Sequence, residues 1–234
     1  GSFKRTAFLG LIDSLESSIK GLRWRPRRSE WVDYYDDDSY SPEALDHKAK
    51  LVTGFLQERQ PKSVWDLGAN TGLFSRIAND MGIQTVAFDQ DAAPVERNYQ
   101  TSVSRKETNL LPLVLDLASP SPSIGWANSE RMDLLERGPA DMLLALALVH
   151  HLAIANNVPL GMIAQFFSKL GHSAIVEFVP KGDPKVARLL ANREDIFPNY
   201  SQDAFAQEFG RFFQIDSVQP ITDSQRTLYL LRAI

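Results

Sequence analysis

The chain has 234 residues, 44% hydrophobic and 23% charged, with a formal net charge of −4 and no cysteine. That length suits one large α/β domain, or a domain with an N-terminal extension, and the apolar content supports a packed core. The acidic balance argues against a general nucleic-acid binder, and zero cysteines remove disulfides, thiolate metal ligands and thiol nucleophiles. No apolar run is long enough for a membrane span and no signal-peptide pattern is present, so a cytoplasmic enzyme is the simplest expectation. Gly1-Ser2 reads as a cloning remnant, which predicts a longer natural chain.

Residues 1–61 read as a helical extension without strands. Phe8, Leu9, Leu11, Ile12, Leu15 and Ile19 recur at helical spacing. The basic stretch "KGLRWRPRR" follows. It is compatible with an RNA or anion contact, or with a plain surface patch. "WVDYYDDDSY" then sets Trp31, Tyr34, Tyr35 and Tyr40 among Asp36, Asp37 and Asp38. Ser41-Pro42-Glu43 predicts an N-cap with proline in the first turn, opening a helix over about 42–58 that ends before Pro61.

From residue 62 to 234 the period changes. "SVWDL", "IQTVAFD", "LLPLVLDL", "ADMLLALALVH" and "HSAIVEFV" read as strands. Helices follow them over "GLFSRIAND", "APVERNYQTSV", "VPLGMIAQFFSKL" and "DPKVARLLANRE". The long connection over 119–139 contains a short helix near 128–136. A helix over "SQDAFAQEFGRF" precedes two last strands, "FFQIDSVQPI" and "RTLYLLRAI", whose short separation predicts an antiparallel pair. The expected fold is α/β: a doubly wound, Rossmann-like seven-stranded sheet of five parallel βα units and a C-terminal hairpin.

The most informative run is "VWDLGANTGLFSRIA", an apolar strand, a small-residue turn and a helix start. A P-loop needs lysine after its second glycine, and Leu73 follows Gly72 here. A dinucleotide fingerprint needs glycines where Asn70 and Leu73 stand. What fits is acid-x-Gly-x-small-x-Gly: Asp66, Gly68, Asn70, Gly72. Two further acids end the next strands, Asp89 lying 23 residues beyond Asp66, and then Asp116. Three acids at successive strand ends line the carboxyl edge of one sheet, where open α/β folds bind ligands.

At these residues the chain resembles the class I S-adenosylmethionine (SAM)-dependent methyltransferases, for which "DLGANTG" is a common first motif. The further runs "LALALVHHLAI" and "EFVPKGDPKVARLLANREDIFPNY" resemble a bacterial, nodulation-protein-like group of them. That resemblance implies a donor site. Asp66 would take the SAM ammonium, directly or through water, and Gly68, Ala69, Asn70, Thr71 and Gly72 would form the turn against it. Asp89 would hold the ribose hydroxyls, with Asp91 the lesser candidate because it can cap the next helix. Gln90 would lie along the adenine, Asp116 would accept its amino group, and Leu117 would pack or donate its N–H. Ala147 and Leu148 would run beneath the sulfur. Tyr40 and Lys48 are added as donor-site residues from the extension, whose aromatic faces could cover the sulfonium.

Of the acceptor less is legible. His150 or His151 can serve as a base, because imidazole titrates near neutrality. On an extended segment only one of the two faces the substrate. Glu177, Lys181, Asp183, Arg193, Glu194 and Tyr200 could border the acceptor. The Asn/Asp-Pro-Pro-Tyr/Phe signature is absent and no cysteine is available, leaving transfer to an oxygen, nitrogen or activated carbon of another acceptor, with an oxygen or nitrogen of a small molecule or protein the expectation. S-adenosylhomocysteine would be the product and no metal is expected. The alternative is a non-catalytic SAM-binding or partner-binding part of a larger protein. The sequence fixes neither the acceptor nor the oligomeric state.

Overall fold

A computed structural model describes residues 4–22, 24, 40–191 and 194–234. Trp31, Tyr34, Tyr35, Asp36, Asp37, Asp38 and Arg193 lie outside the described residues. Seven strands form one sheet in the order β3-β2-β1-β4-β5-β7-β6. Their ranges are β1 Ser63–Leu67, β2 Gln84–Asp89, β3 Leu110–Val114, β4 Ala140–Ala145, β5 Gly171–Phe178, β6 Phe213–Pro220 and β7 Thr227–Ala233. The first five pair in parallel, and β7 runs antiparallel to both β5 and β6. Strand order reverses between β1 and β4, which opens a crevice at their carboxyl ends.

Strand alternation sorts the side chains into two layers. Val64, Met142, Leu144, Ile175, Leu228 and Leu230 pack on one face against α2 (Pro42–Arg59) and α3 (Leu73–Asp80). Trp65, Leu143, Ala145, Val176, Phe178 and Leu231 pack on the other against α6 (Leu160–Leu170) and α8 (Gln202–Phe209). Helix α4 (Ala92–Arg105) packs beside β3 and β2. The same alternation puts the polar residues Asp66 and Glu177 on the α2 face, which is where the site is built.

Helix α2 forms as its sequence predicts: Ser41 Oγ accepts the Ala44 N–H at 3.1 Å, and Pro42 occupies the first turn. It carries Ala44, Val52, Phe55 and Leu56 into the core, so this part of the N-terminal extension is built into the sheet domain. By contrast, no residue of α1 (Arg5–Gly21) is buried, and Phe8, Leu9, Leu11, Ile12, Leu15 and Ile19 are exposed.

Four expected elements differ. The strand expected through His150 ends at Ala145; Ala147 has φ 50°, and a π-turn follows over His151–Ala155. The apolar run hid this break, because buried strand and buried turn share the same hydropathy. Strand β3 ends at Val114, leaving Asp116 in the loop beyond. The helix near 128–136 is a 3-10 turn at Trp126–Asn128 and a separate α5 at Leu134–Arg137. The helix expected over 183–194 is α7, Pro184–Leu190.

Candidate functional site

A cleft opens at the carboxyl ends of the parallel strands. Among the expected residues, Lys48, Gly68, Asn70, Asp89, Gln90, Asp116, Leu117, Ala147, Leu148 and His151 line it together. Asp91, the lesser ribose candidate, lines it as well, and so do Leu115, Leu146, Leu152 and Asn156, which were not singled out from sequence. Leu152 and Asn156 are brought there by the π-turn, which left no mark in the hydrophobic pattern.

The glycine turn is held by its own backbone. Gly68 and Ala69 N–H both donate to Phe88 O at 2.8 Å, and Gly72 N–H donates to Ala69 O at 2.9 Å. Asn70 N–H donates to Asp89 Oδ2 at 2.8 Å, and Thr71 N–H to Asn70 Oδ1 at 2.7 Å. Every N–H from 68 to 72 is therefore spent inside the protein. A phosphate-gripping loop needs those donors aimed at the ligand, so this turn offers close backbone approach instead. At Gly68, with φ 76°, a Cβ would lie 3.1 Å from Leu148 Cδ1 on the opposite wall. At Gly72, with φ 79°, it would run into the Asn98 carboxamide.

The three strand-end acids differ in depth. Asp66 lies beneath the turn, 2% exposed and off the cleft lining, with Ser75 Oγ donating to its Oδ2 at 2.5 Å. Burial raises its pKa to about 6, against the Ser75 hydrogen bond and the nearby Lys48 charge. Asp89 lines the cleft and also accepts the Asp91 N–H at 2.9 Å. Burial raises its pKa too, opposed by those backbone donors. Asp91 caps α4 through the Ala93 N–H at 2.9 Å, the structural role allowed for it. Asp116 is also a turn cap, accepting the Ala118 N–H at 2.9 Å, while lining the cleft.

The α2 face supplies a buried charge cluster. Lys48 Nζ donates to Glu177 Oε2 at 2.7 Å and to the Tyr40 hydroxyl at 2.9 Å; Tyr40 donates to Glu177 Oε1 at 2.5 Å. Arg226 Nε donates to Asp183 Oδ2 at 2.7 Å and its Nη1 lies 3.7 Å from Glu177 Oε1. Burial pulls the Lys48 pKa down and Glu177 only partly offsets it. Burial pushes Glu177 up, but Lys48 and Arg226 outweigh that and hold it below the ordinary carboxylate range. Tyr40 does not line the cleft: its ring carries Lys48 Nζ at 4.7 Å and the Arg226 guanidinium at 4.3 Å from its centre. Those two cations, not the open cleft, are what its π-face meets.

The two histidines separate by depth. Their ring centroids are 4.1 Å apart, but His151 lines the cleft, whereas His150 is 0% exposed and lies behind it. The reason is helical backbone at 149–155 rather than the extended segment expected. Burial, with Arg226 and Lys185 adding to it, lowers the His151 pKa to about 4. Ala69, Thr71 and Gly72 shape the turn without lining the cleft. Among the described residues no cluster of three or more His, Asp or Glu could hold a metal, and no helix is long and apolar enough to cross a membrane.

Topology and cleft together define the class I SAM-dependent methyltransferase fold: a seven-stranded sheet in the order above with an antiparallel C-terminal hairpin and a glycine turn after β1. Solved structures share it. A putative O-methyltransferase from Nostoc punctiforme superposes with TM-score 0.61 at 16% identity, over 95% of this chain and 68% of that one. A SAM-dependent methyltransferase from Aquifex aeolicus gives TM-score 0.57 at 12% identity, over 88% and 100%. In sequence the chain is related to the nodulation protein NoeA of Rhizobium meliloti, 38% identical over 227 residues. That match takes in 96% of this chain and 48% of NoeA, so the chain spans about half the length of that relative. No protein-family model matches the chain.

Proposed function

We propose that the chain binds SAM in this cleft and transfers its methyl group to an oxygen or nitrogen of an acceptor, releasing S-adenosylhomocysteine. The observation that carries this reading is the convergence of Asp89, Asp116, the glycine turn and Lys48 on one cleft whose turn has no N–H left for phosphate. Asp89 is suited to the ribose hydroxyl pair, since a carboxylate accepts both hydrogens. Gln90 and Leu117 flank the adenine, and Asp116 accepts its amino group. Lys48 answers the carboxylate of the amino-acid end; Asp66, under the turn, answers its ammonium at longer range or through water. Ala147 and Leu148 run beneath the sulfur.

Methyl transfer is an in-line displacement at carbon, so alignment and exclusion of water supply much of the rate. His151, neutral and on the cleft wall, is the group able to take a proton from the acceptor; His150 backs it. The share of NoeA that the chain spans favours a second reading, a SAM-binding part of a longer protein whose remainder completes the acceptor site. Calorimetry with S-adenosylhomocysteine, SAM and NAD tests the donor. Binding of the two SAM compounds but not NAD, lost in Asp89→Ala, is the expected result. No binding of either SAM compound, or equal binding by the variant, sinks the reading. Methyl incorporation in cell extract, compared with His151→Gln, separates an enzyme from a binding part.

A further inference from the structure

We infer that Arg76, on α3, is a positioning residue that locks the two halves of the donor cleft together and so sets donor affinity; this rests on the donor reading above. The residue is 8% exposed and has no place on the cleft wall. All five of its N–H donors are engaged. Nη1 donates to Thr71 O at 2.7 Å and to Gly72 O at 3.1 Å, both carbonyls of the glycine turn. Nη2 donates to Asn98 O at 3.1 Å and Ser102 Oγ at 3.4 Å, both on α4. Nε donates to Glu107 Oε1 at 3.1 Å, just beyond that helix.

The two elements it joins carry opposite ends of the ligand. The turn after β1 faces the amino-acid end. Helix α4 is capped by Asp91, two residues after Asp89, and Asp89 accepts the Asn70 N–H. The turn also has three left-handed residues in five, Gly68 at φ 76°, Asn70 at 51° and Gly72 at 79°. The two glycines take that region at no steric cost and Asn70 at a small one, so a turn this permissive keeps one conformation only where its surroundings hold it. Arg76 supplies that constraint from behind, where Gly72 already meets the Asn98 carboxamide too closely for any Cβ. A lysine has one ammonium and three donors and cannot span both elements as the planar fork does.

The test is S-adenosylhomocysteine affinity by calorimetry, and amide hydrogen exchange of residues 70–72, for wild type, Arg76→Ala and Arg76→Lys. Arg59→Ala, which removes an ion pair to Asp216 away from the cleft, serves as the control for lost stability alone. The expected result is at least tenfold weaker affinity in both Arg76 variants, no rescue by lysine, faster exchange in the turn, and unchanged affinity in Arg59→Ala. A folded Arg76→Lys with wild-type affinity overturns the inference. So does failure of both Arg76 variants to fold, which would make the role purely structural. If wild type does not bind the ligand, the donor reading fails by itself. The exchange rates then still decide on the clamp: faster in Arg76→Lys supports it, unchanged rejects it.

Discussion

Lys48 and Glu177, 129 residues apart, meet as an ion pair of 2.7 Å at side-chain exposures of 1% and 0%. Neither could be buried alone, because an isolated charge in the interior costs several kcal/mol. The pair therefore fixes α2 to the end of β5 and brings one ammonium to the cleft. Glu177→Gln strands Lys48 beside Arg226 and is expected to cost about 3–5 kcal/mol of stability. Replacing both partners, Lys48→Met with Glu177→Leu, is expected to recover most of that loss while donor binding stays weak. Urea denaturation reads the first effect and calorimetry the second; a loss under about 1 kcal/mol in Glu177→Gln would mean the pair is not desolvated.

On the proposed donor reading, Asp66 is expected to give donor binding a pH dependence. With its folded pKa raised from 3.8 to about 6, the native state holds this proton more tightly than the unfolded chain. The protonated carboxyl thus stabilises the fold fully below about pH 4, and that contribution is lost as pH rises through 6. Asp66→Asn is expected to gain on wild type in stability between pH 4 and 7, by up to roughly 3 kcal/mol. Ligand affinity runs the other way. Wild-type binding should strengthen as pH rises through 6, where the carboxylate appears, and Asp66→Asn should bind weakly with a flat profile. Parallel profiles for the two proteins would remove Asp66 from the donor site.

His151 has the opposite sign. Its folded pKa of about 4 lies below the ordinary 6.5, so the unfolded state binds the extra proton first. Stability rises with pH across that window and is lost on acidification. His151→Gln should flatten the profile between pH 4 and 6.5, measured by thermal melts. The imidazole is already neutral at pH 7, so a base role would show as a rate loss of about 10²-fold in His151→Gln with donor affinity kept. Equal rates would leave the acceptor without this base.

Asp89 and Asp116 should differ. Asp89 accepts N–H groups from both Asn70 and Asp91, so Asp89→Ala loosens the turn as well as removing the proposed ribose contact. Asp116 caps an exposed turn. Asp89→Ala is expected to weaken S-adenosylhomocysteine binding more than tenfold and Asp116→Ala less, by about one hydrogen bond, or 0.5–1.5 kcal/mol. Calorimetry giving the reverse order would exchange their roles.

The central parallel strands were legible in the chain because each is a bounded apolar run, and burial on both faces leaves little else for such a run to do, whereas the closing hairpin was legible from two strand-like runs parted by a short turn. Asp66, Gly68, Asn70 and Gly72 were legible because backbone geometry demands small residues at fixed spacing. The bend at Ala147 was not, since "LALALVHH" keeps its hydropathy through the change from strand to turn. Nor was the partner of Lys48: nothing local marks Glu177, and only the sheet's alternation turns it toward α2. Arg76 stood inside the quoted motif, yet its five acceptors come from three separate segments that meet only on folding.

The seating of α2 bears on where this domain can be cut. A chain trimmed to start at Ser63, the first residue of β1, would lose Val52, Phe55 and Leu56 from the layer beneath the sheet, leaving Ile175 and Leu230 facing water. It would also leave Glu177 and Arg226 without Lys48 between them and the cleft. The smallest portable unit therefore begins at Tyr40, with α2 kept on its own sheet.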